Sequence, residues 1–224
     1  MQSRDRLIVA IDRSSRDDIL RLADALHGVA GVFKLGLQAF IANGPAIVRE
    51  IAGRGEKIFL DLKIHDIPTT ARNAVEQAAA GGASMLTVHA SGGEAMLRAC
   101  AVSDIVVLGV TVLTSLDDRE LREIGFSGTA VETALRLARL SVRCGLRGVV
   151  ASPQEIRPIR EACGKDLVIV TPGIRLDGRT DDQRRTATPA AAIAAGADYI
   201  VVGRPITDAA NPRVAAQAIV DSLP

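Results

Sequence analysis

The segment Lys57-Ile-Phe-Leu-Asp61-Leu-Lys63-Ile-His-Asp66-Ile-Pro68-Thr-Thr70 packs a strand, a charged loop and the start of a helix into fourteen residues. From Lys57 to Lys63 the side chains alternate. Ile58, Leu60 and Leu62 fall on one face and Phe59, Asp61 and Lys63 on the other, the period of two of an extended chain. Pro68 marks a turn, Thr69 or Thr70 offers a helix cap, and Ala71, Ala74, Val75, Ala78 and Ala79 recur at the spacing of an amphipathic helix. So apolar a strand is expected to be buried on both sides, where two acids and a lysine are costly unless paired or functional. The plainer alternative, a salt bridge on a solvated strand end, suits one acid and one lysine only.

The same unit recurs along the chain. Apolar runs rich in Val, Ile and Leu occupy residues 7–12, 32–36, 57–63, 85–90, 105–113, 148–152, 167–173 and 199–204. Helical patterns lie between many of them, at 17–27, 38–52, 71–80, 129–144 and 214–223. Eight alternations of strand and helix predict an α/β fold with a parallel sheet, closed as a single (β/α)8 TIM barrel, with residues 1–224 forming one domain. A doubly wound open sheet is the competitor, but no Gly-x-Gly-x-x-Gly turn follows the first strand. Polar residues gather where the runs end: Asp12, Lys34, Asp61, Lys63, His89, Thr111, Thr114, Ser152, Thr171 and Arg204. Closing the sheet brings those ends to one rim, the face on which barrels of this kind carry their sites.

Composition narrows the function. The net charge is +1 and aromatic residues make up 2%, so the basic stripe and stacking platform of a nucleic-acid binder are missing. No apolar stretch reaches the length of a membrane span, and the start Met-Gln-Ser-Arg-Asp-Arg leads straight into a short strand, so neither anchoring nor export is expected. Cys100, Cys144 and Cys163 lack metal-ligand spacing and read as buried reduced thiols of a cytoplasmic protein.

Two segments suit an anion. Thr171-Pro-Gly-Ile-Arg175 follows the seventh strand and Val202-Gly203-Arg204-Pro205 the eighth, where glycine lets backbone N–H groups approach a phosphate and arginine adds a charged fork. Gly173 and Gly203 as ordinary turn glycines are the alternative. Residues 176–186 are polar and aperiodic, which suggests a lid carrying Gln183 toward ligand oxygens, or else plain surface.

Asp61-x-Lys63-x-x-Asp66-Ile67-Pro68-x-Thr70, preceded by Asp12 and Lys34 and followed by Thr-Pro-Gly-Ile-Arg and Val-Gly-Arg, closely resembles the orotidine 5′-phosphate decarboxylase family over nearly the whole chain. Departures are local: Ile64 stands where an aromatic is frequent and Thr69 where Asn is frequent. The resemblance implies conversion of orotidine 5′-monophosphate to uridine 5′-monophosphate with no cofactor and no metal. It implies Lys63 as proton donor to C6 of the pyrimidine, Asp61 beside the departing carboxylate, and Lys34 and a second subunit's Asp66 completing an alternating charge array. Asp12 and Lys34 would hold ribose hydroxyls and Thr114 the pyrimidine edge. Gln183, Arg204, the Gly203 backbone and Arg175 would hold the phosphate. The resemblance also implies a homodimer in which Asp66, Ile67 and Thr70 reach into the neighbouring site.

His65 and His89 are tempting acid–base residues. His65 should point away from Lys63 in an extended chain, and His89 reads as a hydrogen-bonded barrel-end residue; His27 reads as surface. Three rival functions remain. A magnesium-dependent sister family, the 3-keto-gulonate 6-phosphate decarboxylases and hexulose-phosphate synthases, shares an Asp-x-Lys-x-x-Asp strand but presents a carboxylate where this chain has Lys34. A Schiff-base aldolase needs a neutral amine, which neighbouring acids disfavour. A non-catalytic nucleotide-binding barrel has no need of the complete charged set.

Overall fold

The computed structural model describes residues 1–101, 103–175 and 186–224. Eight strands, β1 (Leu7–Ala10), β2 (Val32–Gly36), β3 (Ile58–Ile64), β4 (Ala83–His89), β5 (Val106–Val110), β6 (Gly148–Val150), β7 (Val168–Thr171) and β8 (Tyr199–Val202), form a closed barrel in chain order. Every neighbouring pair is parallel, and β1 closes the ring against β8, with Ile8 opposite Val201. Closure leaves no sheet edge. The expected (β/α)8 barrel is the fold observed.

The period of two sorts each strand's side chains between two cores. Ile8, Ala10, Val32, Phe59, Met85, Leu108, Val170 and Val201 cluster with one another, whereas their chain neighbours Leu7, Val9, Phe33, Leu60 and Leu86 join the layer beneath the helices. The first set fills the barrel, and the second seals strand against helix. Each large side chain fully withdrawn from water contributes about 1.5–3 kcal/mol, and Phe33, Phe59, Ile8 and Leu86 are all of this kind. Gly148 keeps β6 close to its neighbours. A Cβ there would lie 2.6 Å from Leu108 Cδ2 and 2.7 Å from the Val168 carbonyl oxygen.

Some expected boundaries are corrected. The runs at 7–12, 105–113, 167–173 and 199–204 end as strands at Ala10, Val110, Thr171 and Val202, because a parallel ladder lasts only as long as both neighbours stay extended. Arg204 instead opens the short helix Arg204–Thr207. The single helix expected over 38–52 is two, Leu37–Asn43 and Pro45–Ala52. Gly44 takes φ 64° between them, and Pro45 has no N–H to continue the first. Neither Thr69 nor Thr70 caps the helix after β3, which begins at Pro68 with Ile67 before it. Proline fits that first position, where its missing donor costs nothing. Cys100 and Cys144 are buried as expected, but Cys163 is only partly so. Burial pushes the Cys100 thiol up to about 11, as suits an inert core residue.

Candidate active site

The carboxyl ends of the strands surround a cavity of about 300 Å³. Its lining includes Asp12, Lys34, Asp61, Lys63, Thr114, Arg175, Gly203 and Arg204, eight of the residues singled out from the sequence and drawn from six strand ends. Phe59, Val110, Val150 and Val201 give it an apolar floor, the top of the barrel interior. Charges above such a floor interact more strongly than in water.

The charged groups alternate in sign. Lys34, on β2, holds its Nζ 3.2 Å from Asp12 Oδ1 and 3.5 Å from Asp61 Oδ2. Lys63 Nζ donates to both Asp61 oxygens at 2.9 Å. Asp12, Lys34, Asp61 and Lys63 thus form one chain of contacts. The side chains of Lys34 and Asp61 are 11% and 13% exposed and that of Lys63 31%, so the array opens to the cavity at its lysine end. Gly36 makes room for it: a Cβ there would stand 2.9 Å from Asp12 Oδ1 and 3.1 Å from Lys34 Nζ.

Burial by itself would raise the Asp61 carboxyl. The nearby charges of Lys34 and Lys63, with hydrogen bonds from Lys63 and Thr87, outweigh that cost and hold it below the ordinary 3.8. Asp61 is therefore an anion throughout the neutral range.

Phe59, Asp61 and Lys63 all line the cavity, as the alternation of β3 predicts, but beyond Leu60 the register of the strand against β4 shifts. Leu60 pairs with Leu86 of β4 and Ile64 with Val88, so Asp61, Leu62 and Lys63 lie opposite Thr87 alone. Such a bulge re-aims side chains. Lys63 takes φ 50°, the left-handed region, and is the non-glycine residue found there among the described residues. Thr87, which the sequence reading missed, closes the gap. Its hydroxyl accepts from the Lys63 backbone N–H and donates to Asp61 Oδ1, both at 2.9 Å. The available signal was parity, since Thr87 shares the inward face of β4 with Met85.

Other sequence-selected residues lie apart from the cavity. Asp66 and Ile67 line a separate shallow depression with His65, Pro68 and Gly92, and Thr70 is exposed on the helix Pro68–Ala80. Asp66 accepts from the Ile67 N–H at 2.7 Å, and Ile67 is 67% exposed. The rings of His65 and His89 stand 5.4 Å apart. Burial, the neighbouring His65 and Lys63 lower the His89 pKa against the opposing pull of Asp61, leaving a neutral imidazole at neutral pH. His27 is exposed and meets Glu56 at 2.5 Å. Thr111, Ser152 and Thr171 are buried in the rim wall, with the Thr111 hydroxyl donating to the Val150 carbonyl at 2.9 Å. Gln183 and residues 176–185 lie outside the described residues. The chain on either side of them is tied together at the rim, since Arg175 N–H donates to Ala187 O and Ala187 N–H to Gly173 O. Among the described residues no three His, Cys, Asp or Glu side chains are grouped so as to hold a metal ion, and no helix is long and apolar enough to cross a membrane.

Comparison with known proteins points the same way as the cavity. Residues 5–219 match the model of a family described as orotidine 5′-phosphate decarboxylase / HUMPS. A protein of Heliobacterium modesticaldum named orotidine 5′-phosphate decarboxylase is 47% identical, the match covering 100% of this chain and 97% of that one. A protein of Moorella thermoacetica bearing the same name is 48% identical over 98% of this chain and 92% of its own. The crystal structure of orotidine 5′-phosphate decarboxylase from Lactobacillus acidophilus superposes with a TM-score of 0.86 at 36% identity, covering 96% of this chain and 97% of that one.

Proposed function

The chain belongs to the orotidine 5′-phosphate decarboxylase / HUMPS family, and from that footing we propose that it converts orotidine 5′-monophosphate to uridine 5′-monophosphate without a cofactor, as a step of pyrimidine synthesis. One observation carries this reading: the Lys63 ammonium sits 2.9 Å from both oxygens of an Asp61 that also faces Lys34. As the bond from C6 to the carboxylate breaks, carbon dioxide leaves and the electron pair stays on C6 in the ring plane, where the π system cannot take it up. Lys63 delivers a proton to that carbon and later recovers one from solvent. Stabilisation is electrostatic, and charges fixed before the reaction spend nothing on reorientation when it occurs. Asp61 holds Lys63 in place and crowds the substrate carboxylate. Asp12 and Lys34 bind ribose hydroxyls, and Thr114 meets the pyrimidine edge. Arg175, the Gly203 backbone and Arg204 hold the phosphate, joined by Gln183. Binding energy gathered at that end is remote from the breaking bond, where it serves to orient the ring.

The active form in this reading is a homodimer. Asp66, Ile67 and Thr70 are exposed and line no part of their own chain's cavity, which leaves them free to complete a neighbour's site. Leu37 and Ile41, 51% and 78% exposed, add apolar surface suited to a second copy. The enzyme works in the cytoplasm as one barrel domain, with no nucleic-acid or membrane partner.

Loss of orotidine 5′-monophosphate followed by ultraviolet absorbance, with a chelator present, tests the proposal. Turnover is expected to be unchanged by the chelator. Turnover that needs added magnesium, or that appears only with a 3-keto sugar phosphate, would favour the sister family instead. Lys34 speaks against that family, because its ammonium would repel a dication at the end of β2.

A further inference from the structure

The Thr87 hydroxyl occupies a place that neither packing nor strand propensity requires. It is fully buried on the inward face of β4, where an apolar side chain of the same size would satisfy the barrel. Across from it the main-chain ladder is interrupted, because Asp61, Leu62 and Lys63 bulge between the pairs Leu60–Leu86 and Ile64–Val88. A bulge leaves backbone groups without ladder partners. The Lys63 N–H is one of these, and it turns to the Thr87 oxygen at 2.9 Å while the same hydroxyl gives its proton to Asp61 Oδ1 at 2.9 Å. A single hydroxyl can do both, having one donor and two acceptor positions. It therefore ties the backbone of the proton donor, held at φ 50°, to the carboxylate that its own ammonium contacts.

Resting on the decarboxylase reading, we infer that Thr87 is a positioning residue for the reaction: its hydroxyl holds the bulge of β3 in the one conformation that aims the Lys63 ammonium along Asp61 into the cavity. Thr87 touches neither the reacting carbon nor the leaving group. Its effect passes entirely through Lys63 and Asp61. An alignment of this kind is felt in the transition state far more than in binding, since the nucleotide's phosphate, ribose and ring are held by other residues.

Thr87→Val removes the hydroxyl and keeps the shape; Thr87→Ser removes a methyl group and keeps the hydroxyl. Thr87→Val is expected to lower kcat for orotidine 5′-monophosphate by about 10- to 100-fold, the range of a lost hydrogen bond to a charged group, with KM moving by less than about threefold. Thr87→Ser is expected to stay within about threefold of the parent in kcat. Exchange of the Lys63 amide proton, followed by nuclear magnetic resonance, should be slow in the parent and in Thr87→Ser and faster in Thr87→Val. Parental kcat in Thr87→Val, a serine variant as impaired as the valine one, or unchanged amide exchange would each overturn the inference. If Thr87→Val does not fold, Thr87→Cys, whose thiol is a weak donor and acceptor, takes its place with the same expectations. A parent that fails to turn over the nucleotide defeats the decarboxylase reading instead, and the amide-exchange comparison still tests the tether.

Discussion

Two charged clusters stand at opposite ends of this barrel, and their degrees of burial are alike. At the amino-terminal end Arg160 and Asp198 meet at 2.7 Å with side chains 20% and 31% exposed; at the carboxyl rim Asp61 and Lys63 meet at 2.9 Å with side chains 13% and 31% exposed. What separates them is the identity of their further partners. Arg160 also donates to the carbonyl oxygens of Gly164, Leu167 and Gly196, and Asp198 accepts from the Ile169 N–H, so most of the guanidinium's capacity is spent on main chain. The ammonium groups of the rim meet carboxylates instead, and the array borders an open cavity. Charges spent on backbone hold a fold together. Charges balanced against one another beside a cavity remain available to a ligand that brings its own.

The contrast predicts that the two ends fail differently. The largest effect is expected at Asp61. Asp61→Ala leaves Lys34 and Lys63 without the anion between them, and turnover should drop by about 10³-fold or more, with about 2–4 kcal/mol of stability lost as buried cations are stranded. Steady-state kinetics and urea unfolding check both parts. Arg160→Met should show the reverse pattern, losing about 3 kcal/mol of stability while kcat of the folded protein stays within about twofold of the parent. If Arg160→Met instead abolished turnover in a fully folded protein, the division between the two ends would be broken.

A milder intervention sharpens the same comparison. In Gly36→Ala the new Cβ would crowd Asp12 Oδ1 at 2.9 Å and Lys34 Nζ at 3.1 Å. Asp12 is 53% exposed and can yield, so the expected result is a rise in KM of about tenfold with unfolding free energy within about 1 kcal/mol of the parent. The smallest effect concerns pH. Asp61 has its folded-state pKa depressed below 3.8, so the unfolded chain takes up its proton first as pH falls. Its contribution is complete above that value and is lost as pH drops further through the lower folded value. The stability difference between the parent and Asp61→Asn, measured by urea unfolding, should therefore shrink only below about pH 4.

Much of this was legible in the residues themselves. Period-two runs and polar strand ends suffice for the barrel, because a residue's parity on a parallel strand decides whether it faces the interior or the helices. Because parallel strands all end at the same side, Lys34, Asp61 and Arg204, at or just past the ends of their strands, fall on one rim. Strand ends were less legible, since the length of a ladder depends on the neighbouring strand. The bulge at Lys63 left no mark at all: a lysine with positive φ is set by tertiary contacts, and alternation predicts plain extension there. Thr87 escaped notice because threonine is an ordinary strand residue whose hydroxyl becomes informative only once its partners across β3 are seen. Asp66, Ile67 and Thr70 lie apart from their own chain's cavity, and only in the proposed homodimer do they take a place in a site.

Lys63→Ala offers the most direct test. Followed by ultraviolet absorbance in the presence of a chelator, loss of orotidine 5′-monophosphate should proceed with the parent and be almost abolished by the substitution, by about 10³-fold or more, in a protein that remains folded. Substantial turnover by Lys63→Ala, or a parent silenced by the chelator, would contradict the claim that prearranged charge at this rim delivers the proton.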